Sequence, residues 1–332
     1  MRTIDIHAHF IPQSMWKTVE TGSDWFDITY QEENGVGFTL GPKGKDQVPL
    51  PKLRFTADQR INDMNDQGVD IQVVSVAAPL YNYHLTPQLG LELAQEVNNE
   101  ISEMVRLYPD RFAGLATLPM QDVDVAIDEL DRAVNHIGLK GVELDCIVNS
   151  NNWDEQQFFP FFEAAEKMGA VLFYHPQPNN NMATVRNGSY SIPNSFGVLL
   201  EDSLVAATLI FGGVLERYPD LKICIAHGGG PACFGAGRWD RGWQVRSEAR
   251  INISNPPSTY LKKMYYDCIT MSETALRFLI DTVGIDRVVL GSDWPYVAWD
   301  PSPVSWINNL NSLSQEEKEK ILCRNLESLL DI

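Results

Sequence analysis

Two histidines one residue apart, His7 and His9, stand near the start of the chain in Thr3-Ile4-Asp5-Ile6-His7-Ala8-His9-Phe10. The apolar residues Ile4, Ile6 and Phe10 mark this stretch as a buried strand. Side chains on a strand alternate between faces, so both imidazoles leave from the same one. Two imidazoles together at a strand end make half of a metal site. Only six histidines occur in the chain, so a pair this close is a rare event by chance. Three more groups that can bind a cation or carry a proton stand just past apolar runs. His175 follows Tyr174, His227 follows Ala226, and Asp293 follows Leu290 through Gly291-Ser292.

Bringing these distant residues together is the task of the elements that precede them. Strand-like runs fall at 3–10, 70–76, 112–118, 139–146, 170–174, 221–226, 264–269 and 287–290. Helical patterns separate nearly all of them, at 57–67, 88–108, 123–137, 153–168, 196–217, 272–282 and 315–330, with a short helix reaching about residue 243. The helix at 153–168 is expected to kink or restart at Pro160. Strands alternating with helices imply a parallel sheet, and eight such units fit an α/β fold of the TIM-type (β/α)8 barrel. A doubly wound open sheet competes, but no Gly-x-Gly-x-x-Gly follows the first strand. The expectation is one domain over 1–332. Its irregular stretch at 11–55 is too long for an ordinary loop and is read as an insertion or lid. In such barrels chemistry gathers at the C-terminal ends of the strands, where His7, His9, His175, His227 and Asp293 would all converge.

Composition narrows the partners. With 26 basic and 44 acidic residues the net charge is −18, which repels nucleic acid and anionic membranes. An anionic substrate would then need a local cation, from a metal or an arginine. The five cysteines (Cys146, Cys224, Cys233, Cys268 and Cys323) are scattered without a Cys-x-x-Cys pair, and are expected to be reduced core thiols. No signal peptide is evident before the first strand, and no apolar run is expected to approach the roughly 18 residues of a membrane span. A soluble, cytoplasmic protein is the expectation.

These residues resemble the amidohydrolase superfamily, and more narrowly its branch built around aminocarboxymuconate semialdehyde decarboxylase. The resemblance runs over nearly the whole chain. It rests on Ile4-Asp5-Ile6-His7-Ala8-His9-Phe10-Ile11-Pro12, Met64-Asn65-Asp66-Gln67-Gly68-Val69-Asp70, Gly114-Leu115-Ala116-Thr117-Leu118-Pro119-Met120-Gln121, Ile225-Ala226-His227-Gly228-Gly229-Gly230 and Leu290-Gly291-Ser292-Asp293-Trp294-Pro295. It implies that His7, His9, His175 and Asp293 hold one divalent metal, zinc in most of the branch, with manganese as the alternative. Three neutral imidazoles and a carboxylate suit such an ion, and an expanded shell leaves room for water or substrate. It further implies that His227 is the general acid/base, and that Arg238 reaches a substrate carboxylate in the neighbouring subunit of a homodimer.

The chain departs from the branch at two points, and both bear on the identity of the substrate rather than on the metal site. A second substrate-binding arginine of the branch falls near Val48 or Pro49, where Lys52 or Arg54 are the nearest replacements. Gln177 stands where the branch has tryptophan. Two other residues are candidate substrate contacts. His84 lies on the expected catalytic rim, and Trp294 follows the aspartate, where it could wall the pocket or pack in the core. The expected activity is metal-dependent decarboxylation of a small unsaturated or aromatic carboxylic acid, with His227 and Asp293 moving the proton. The alternative is a metal-dependent hydrolase of a C–C, ester, lactone or amide bond.

Overall fold

An irregularity in the first strand sets the geometry of the mouth. In the computed structural model, which describes residues 2–34, 36–41, 44–45, 51–178, 181–296, 299 and 302–332, β1 (Ile4–Phe10) pairs in parallel with β2 (Ile71–Val76). Between Asp5 and Ala8 the register slips, as at a β-bulge. An extra residue on one strand reverses which side chains face inward. Ile4 and Ile6 therefore join the inner core cluster with Ile71, Val73, Val171 and Phe173, while His7 and His9 turn toward the mouth above them.

Six further parallel strands complete the circuit: β3 (Phe112–Gly114), β4 (Gly141–Leu144), β5 (Val171–Tyr174), β6 (Lys222–Ile225), β7 (Tyr265–Asp267) and β8 (Val288–Val289). They pair as a run of three, β1 to β3, and a run of five, β4 to β8. Both seams are closed. Ala116 bridges Val142, and its amide donates to the Gly141 carbonyl at 2.8 Å. Across the other seam the Ile6 amide donates to the Leu290 carbonyl at 3.0 Å, and Ala8 bridges Trp294. The result is the expected barrel, its two runs of strands joined at both seams among the described residues. Leu326, Leu329 and Leu330 on the C-terminal helix Asn325–Leu330 join the inner cluster and plug the bottom.

Several local expectations are refined. Of the two expectations at Pro160 the restart holds and the kink does not: a 3-10 turn at Gln156–Phe158 leads into the helix Phe159–Met168, and Pro160 occupies its first turn, where its missing N–H costs nothing. The 196–217 pattern breaks at Gly212-Gly213, between helices Val198–Phe211 and Val214–Arg217. The expectation of no long apolar run also needs correcting, because Pro193–Phe211 reaches 19 residues at a mean hydropathy of 1.3. Here it packs on the barrel, and Glu201 and Asp202 are buried within it. The insertion is less irregular than its composition suggests. It carries a helix, Gln13–Glu20, and a hairpin pairing Thr29–Glu33 with Val36–Gly41.

Outside the barrel wall Trp153 is fully buried against Phe158, Phe161, Phe162 and Tyr174, and its indole N–H donates to the Asp145 carbonyl at 2.9 Å. Trp153→Ala should cost about 3–5 kcal/mol of stability by chemical denaturation. A loss below about 1 kcal/mol would mean that this aromatic cluster does not anchor the helix to β4.

Candidate metal centre

His7, His9, His175 and Asp293 meet at the barrel mouth, with one donor atom from each lying within 4.8 Å of the others. Donors about 2.1 Å from a shared ion are at most about 4.2 Å apart, so only slight contraction is needed. The three imidazoles are buried and their ring centroids are 4.8–5.1 Å apart. His7 Nδ1 donates to Asp267 Oδ2 at 2.7 Å, which turns Nε2 toward Asp293 Oδ1 at 3.3 Å. That Nε2 is buried and makes no hydrogen bond of good geometry among the described residues. His9 Nε2 lies 2.9 Å from the same Asp293 oxygen. An orphaned buried nitrogen and two imidazoles sharing one carboxylate oxygen are the donor set a divalent cation would satisfy.

Electrostatics agree with that fit. Burial, together with neighbouring His7, His9 and His227, holds His175 well below the usual imidazole range, so its lone pair is free. Burial alone would push Asp293 up, but His7 and His9 outweigh it and hold the carboxyl well below the usual range. At His7 burial opposes the charged form, yet Asp293 and Asp267 raise its proton affinity. A cation at this point would take the place of that proton.

His227 stands beside the cluster, with its ring centroid 5.1 Å from that of His175 and 5.3 Å from that of His7. Its Nδ1 donates to Asp202 Oδ2 at 2.9 Å. His227 and Asp293 both line a cavity of about 850 Å³ whose walls include Val198, Leu199, Phe234, Ile269, Phe278 and Leu279. Both residues have positive φ, +50° and +57°. Such strain in non-glycine residues collects where a side chain must be aimed.

Other candidates lie elsewhere. His84 lines a separate rim cavity of about 670 Å³ with Asp145 and Gln177, and pairs with Asp27 of the insertion at 3.6 Å. Gln177 donates to Asp145 there at 2.7 Å. The structure does not bring Trp294 to the cavity of His227. Its ring lies 4.0 Å beneath the Arg60 guanidinium, and its indole N–H donates to Asp63 at 2.5 Å, so packing accounts for it. Arg238 is exposed on the helix Ala232–Val245 and lines neither cavity. Lys52 is paired with Asp63, and Arg54 with Glu20, while Val48 and Pro49 lie outside the described residues.

Sequence reasoning missed the carboxylates behind the imidazoles. Asp267 ends β7 fully buried, and its second oxygen accepts the Gly228 and Ile269 amides at 3.0 Å. Gly291 passes so close that an added Cβ would come within 2.8 Å of the Asp267 side chain. Asp5 accepts the His7 and Ser292 amides, and burial pushes its carboxyl up to about 6. Asp202 is likewise pushed up to about 6 by burial. The available signal was a lone acid inside an apolar run, as in Met264-Tyr265-Tyr266-Asp267-Cys268-Ile269.

Comparison with known proteins places this geometry. The family profile described as amidohydrolase matches residues 4–332. The chain is 34% identical to the 2-amino-3-carboxymuconate-6-semialdehyde decarboxylase of Dictyostelium discoideum, covering 99% of this chain and 91% of that one. It is 26% identical to a gamma-resorcylate decarboxylase of Polaromonas, over 85% and 89% of the two chains. A solved Polaromonas dihydroxybenzoic acid decarboxylase, with bound manganese and 2-nitroresorcinol, superposes with a TM-score of 0.81 at 22% identity, covering 99% and 97%.

Removing the Asp267 carboxylate should loosen His7 without deleting a ligand. Asp267→Ala is expected to weaken metal binding about ten- to hundredfold in chelator competition. Unchanged affinity would show that the His7–Asp267 contact does not orient the site.

Proposed function

The chain belongs to the amidohydrolase family, and from its cluster of three histidines and an aspartate we propose a metal-dependent carboxy-lyase acting on a small unsaturated or aromatic carboxylic acid. The observation that carries this reading is His227 standing 5.1 Å from His175 in a cavity with largely apolar walls. We assign zinc to His7, His9, His175 and Asp293, with manganese, present in the Polaromonas structure, as the competitor. The bound ion supplies a Lewis acid that draws charge from the substrate's oxygens.

The side chains supply the rest. The apolar walls suit a planar unsaturated substrate. A proton passes from His227 to the carbon that bears the carboxylate. The bond to the carboxyl carbon then breaks, CO2 leaves, and the electron pair returns to the unsaturated system. His227 regains its proton from water, and Asp293 on the same wall is the second group able to relay it. Neither cavity is lined by a lysine or arginine among the described residues. For that reason we take Arg238 of a second subunit to hold a substrate carboxylate across a homodimer interface. Phe234 on the same helix is 84% exposed although it walls the His227 cavity, which supports burial of this face by a second copy. Five free, buried cysteines support a reducing, cytoplasmic setting.

Zinc-loaded protein should release CO2 from at least one of gamma-resorcylate, related carboxylated arenes and 2-amino-3-carboxymuconate 6-semialdehyde. With a carboxylated arene in heavy-oxygen water the organic product should carry no label, whereas label in the product with no CO2 release would indicate hydrolysis instead. Mixing inactive His227→Gln with inactive Arg238→Ala subunits should restore about a quarter of the parental activity, since half the random dimers hold one complete site. No recovery in exchanged dimers would remove Arg238 from the shared site.

A further inference from the structure

We propose that Asp202 is the positioning residue of the acid–base group: it keeps hydrogen on His227 Nδ1, so that Nε2, presented to the cavity, is the nitrogen that gives up and regains the transferred proton. The assignment rests on the proton-transfer part given above to His227. Asp202 is fully buried on the helix Val198–Phe211, and its Oδ2 receives the His227 Nδ1 proton at 2.9 Å. Its other oxygen has no hydrogen-bond partner among the described residues. A buried carboxylate satisfied on one oxygen by one imidazole is costly, and a merely structural role would be served as well by an apolar residue. What the carboxylate adds is an acceptor that an imidazole can meet only through N–H, which selects the tautomer and the ring orientation together.

The backbone is shaped to make this contact. His227 leaves β6 at φ +50°, and the chain continues through Gly228, Gly229 and Gly230. Gly230 lies at φ +53°, and a Cβ there would stand 2.0 Å from the Leu199 carbonyl oxygen. Only glycine lets the first turn of the helix that bears Asp202 come this close to the turn after β6. The same helix supplies Val198 and Leu199 to the wall of the cavity, so one element both aims the imidazole and bounds the space it faces.

Two readouts test the assignment on the zinc-loaded protein. A hydrogen-bonded Nδ1 proton should appear as a low-field proton resonance, lost in both His227→Gln and Asp202→Asn. Asp202→Asn should lower kcat on the best acid of the panel about a hundredfold or more while KM stays within about threefold, and Asp202→Glu should recover part of that loss. Asp202→Asn with kcat within about threefold of the parent overturns the proposal, as does a loss confined to KM. Should the asparagine variant not fold, the parent still decides, because the absence of any low-field resonance assignable to His227 overturns the pairing. If no panel acid is turned over, the carboxy-lyase reading falls while the resonance continues to report on Asp202 and His227.

Discussion

The hydrogen bond from His7 to Asp267 is the contact on which the mouth of the barrel depends. An imidazole can offer a lone pair in a chosen direction only if its other nitrogen is held. Asp267 holds Nδ1 of His7 with one oxygen and the amides of Gly228 and Ile269 with the other. One carboxylate thereby ties β1, the turn after β6 and β7 into a single rigid corner. Asp5 does the same across the closing seam, joining the His7 amide to the amide and hydroxyl of Ser292, one residue before Asp293.

This arrangement is paid for in stability. Burial pushes Asp5 and Asp202 up to about 6, which measures how unwelcome their charges are in the barrel. Arg60 stands beneath the same layer, donating to the His9 carbonyl at 2.9 Å, and burial pulls it down to about 9. His227 and Asp293 each sit at positive φ, a strain of about 1–3 kcal/mol apiece. A closed barrel with an apolar lower layer and a plug of leucines can carry such a load without losing its shape. Rigidity at the bottom is thus what permits strain and unpaired polar groups at the top.

The sequence carried the barrel and the convergence of His7, His9, His175 and Asp293 because both leave periodic or positional marks. Apolar runs followed by a histidine or aspartate are visible one strand at a time, and closure brings their ends together. Asp267 and Asp202 left fainter marks, since a single acid in an apolar run is equally consistent with a strand end or a helix turn. The bulge between Asp5 and Ala8 is invisible to alternation, because Ile4 and Ile6 face inward under either register. For Trp294 adjacency to Asp293 in sequence left pocket wall and core packing equally open, and the turn after Asp293 carries its ring to Arg60 and Asp63. The insertion concealed a helix and a hairpin under a composition rich in glycine and aromatics.

Anomalous diffraction from crystals of the purified protein, recorded on both sides of the zinc and manganese absorption edges, tests the centre most directly. One strong peak per chain is expected, bounded by the imidazoles of His7, His9 and His175 and the carboxylate of Asp293. A metal-replete crystal with no peak there, or with its ion held by other side chains, would contradict it.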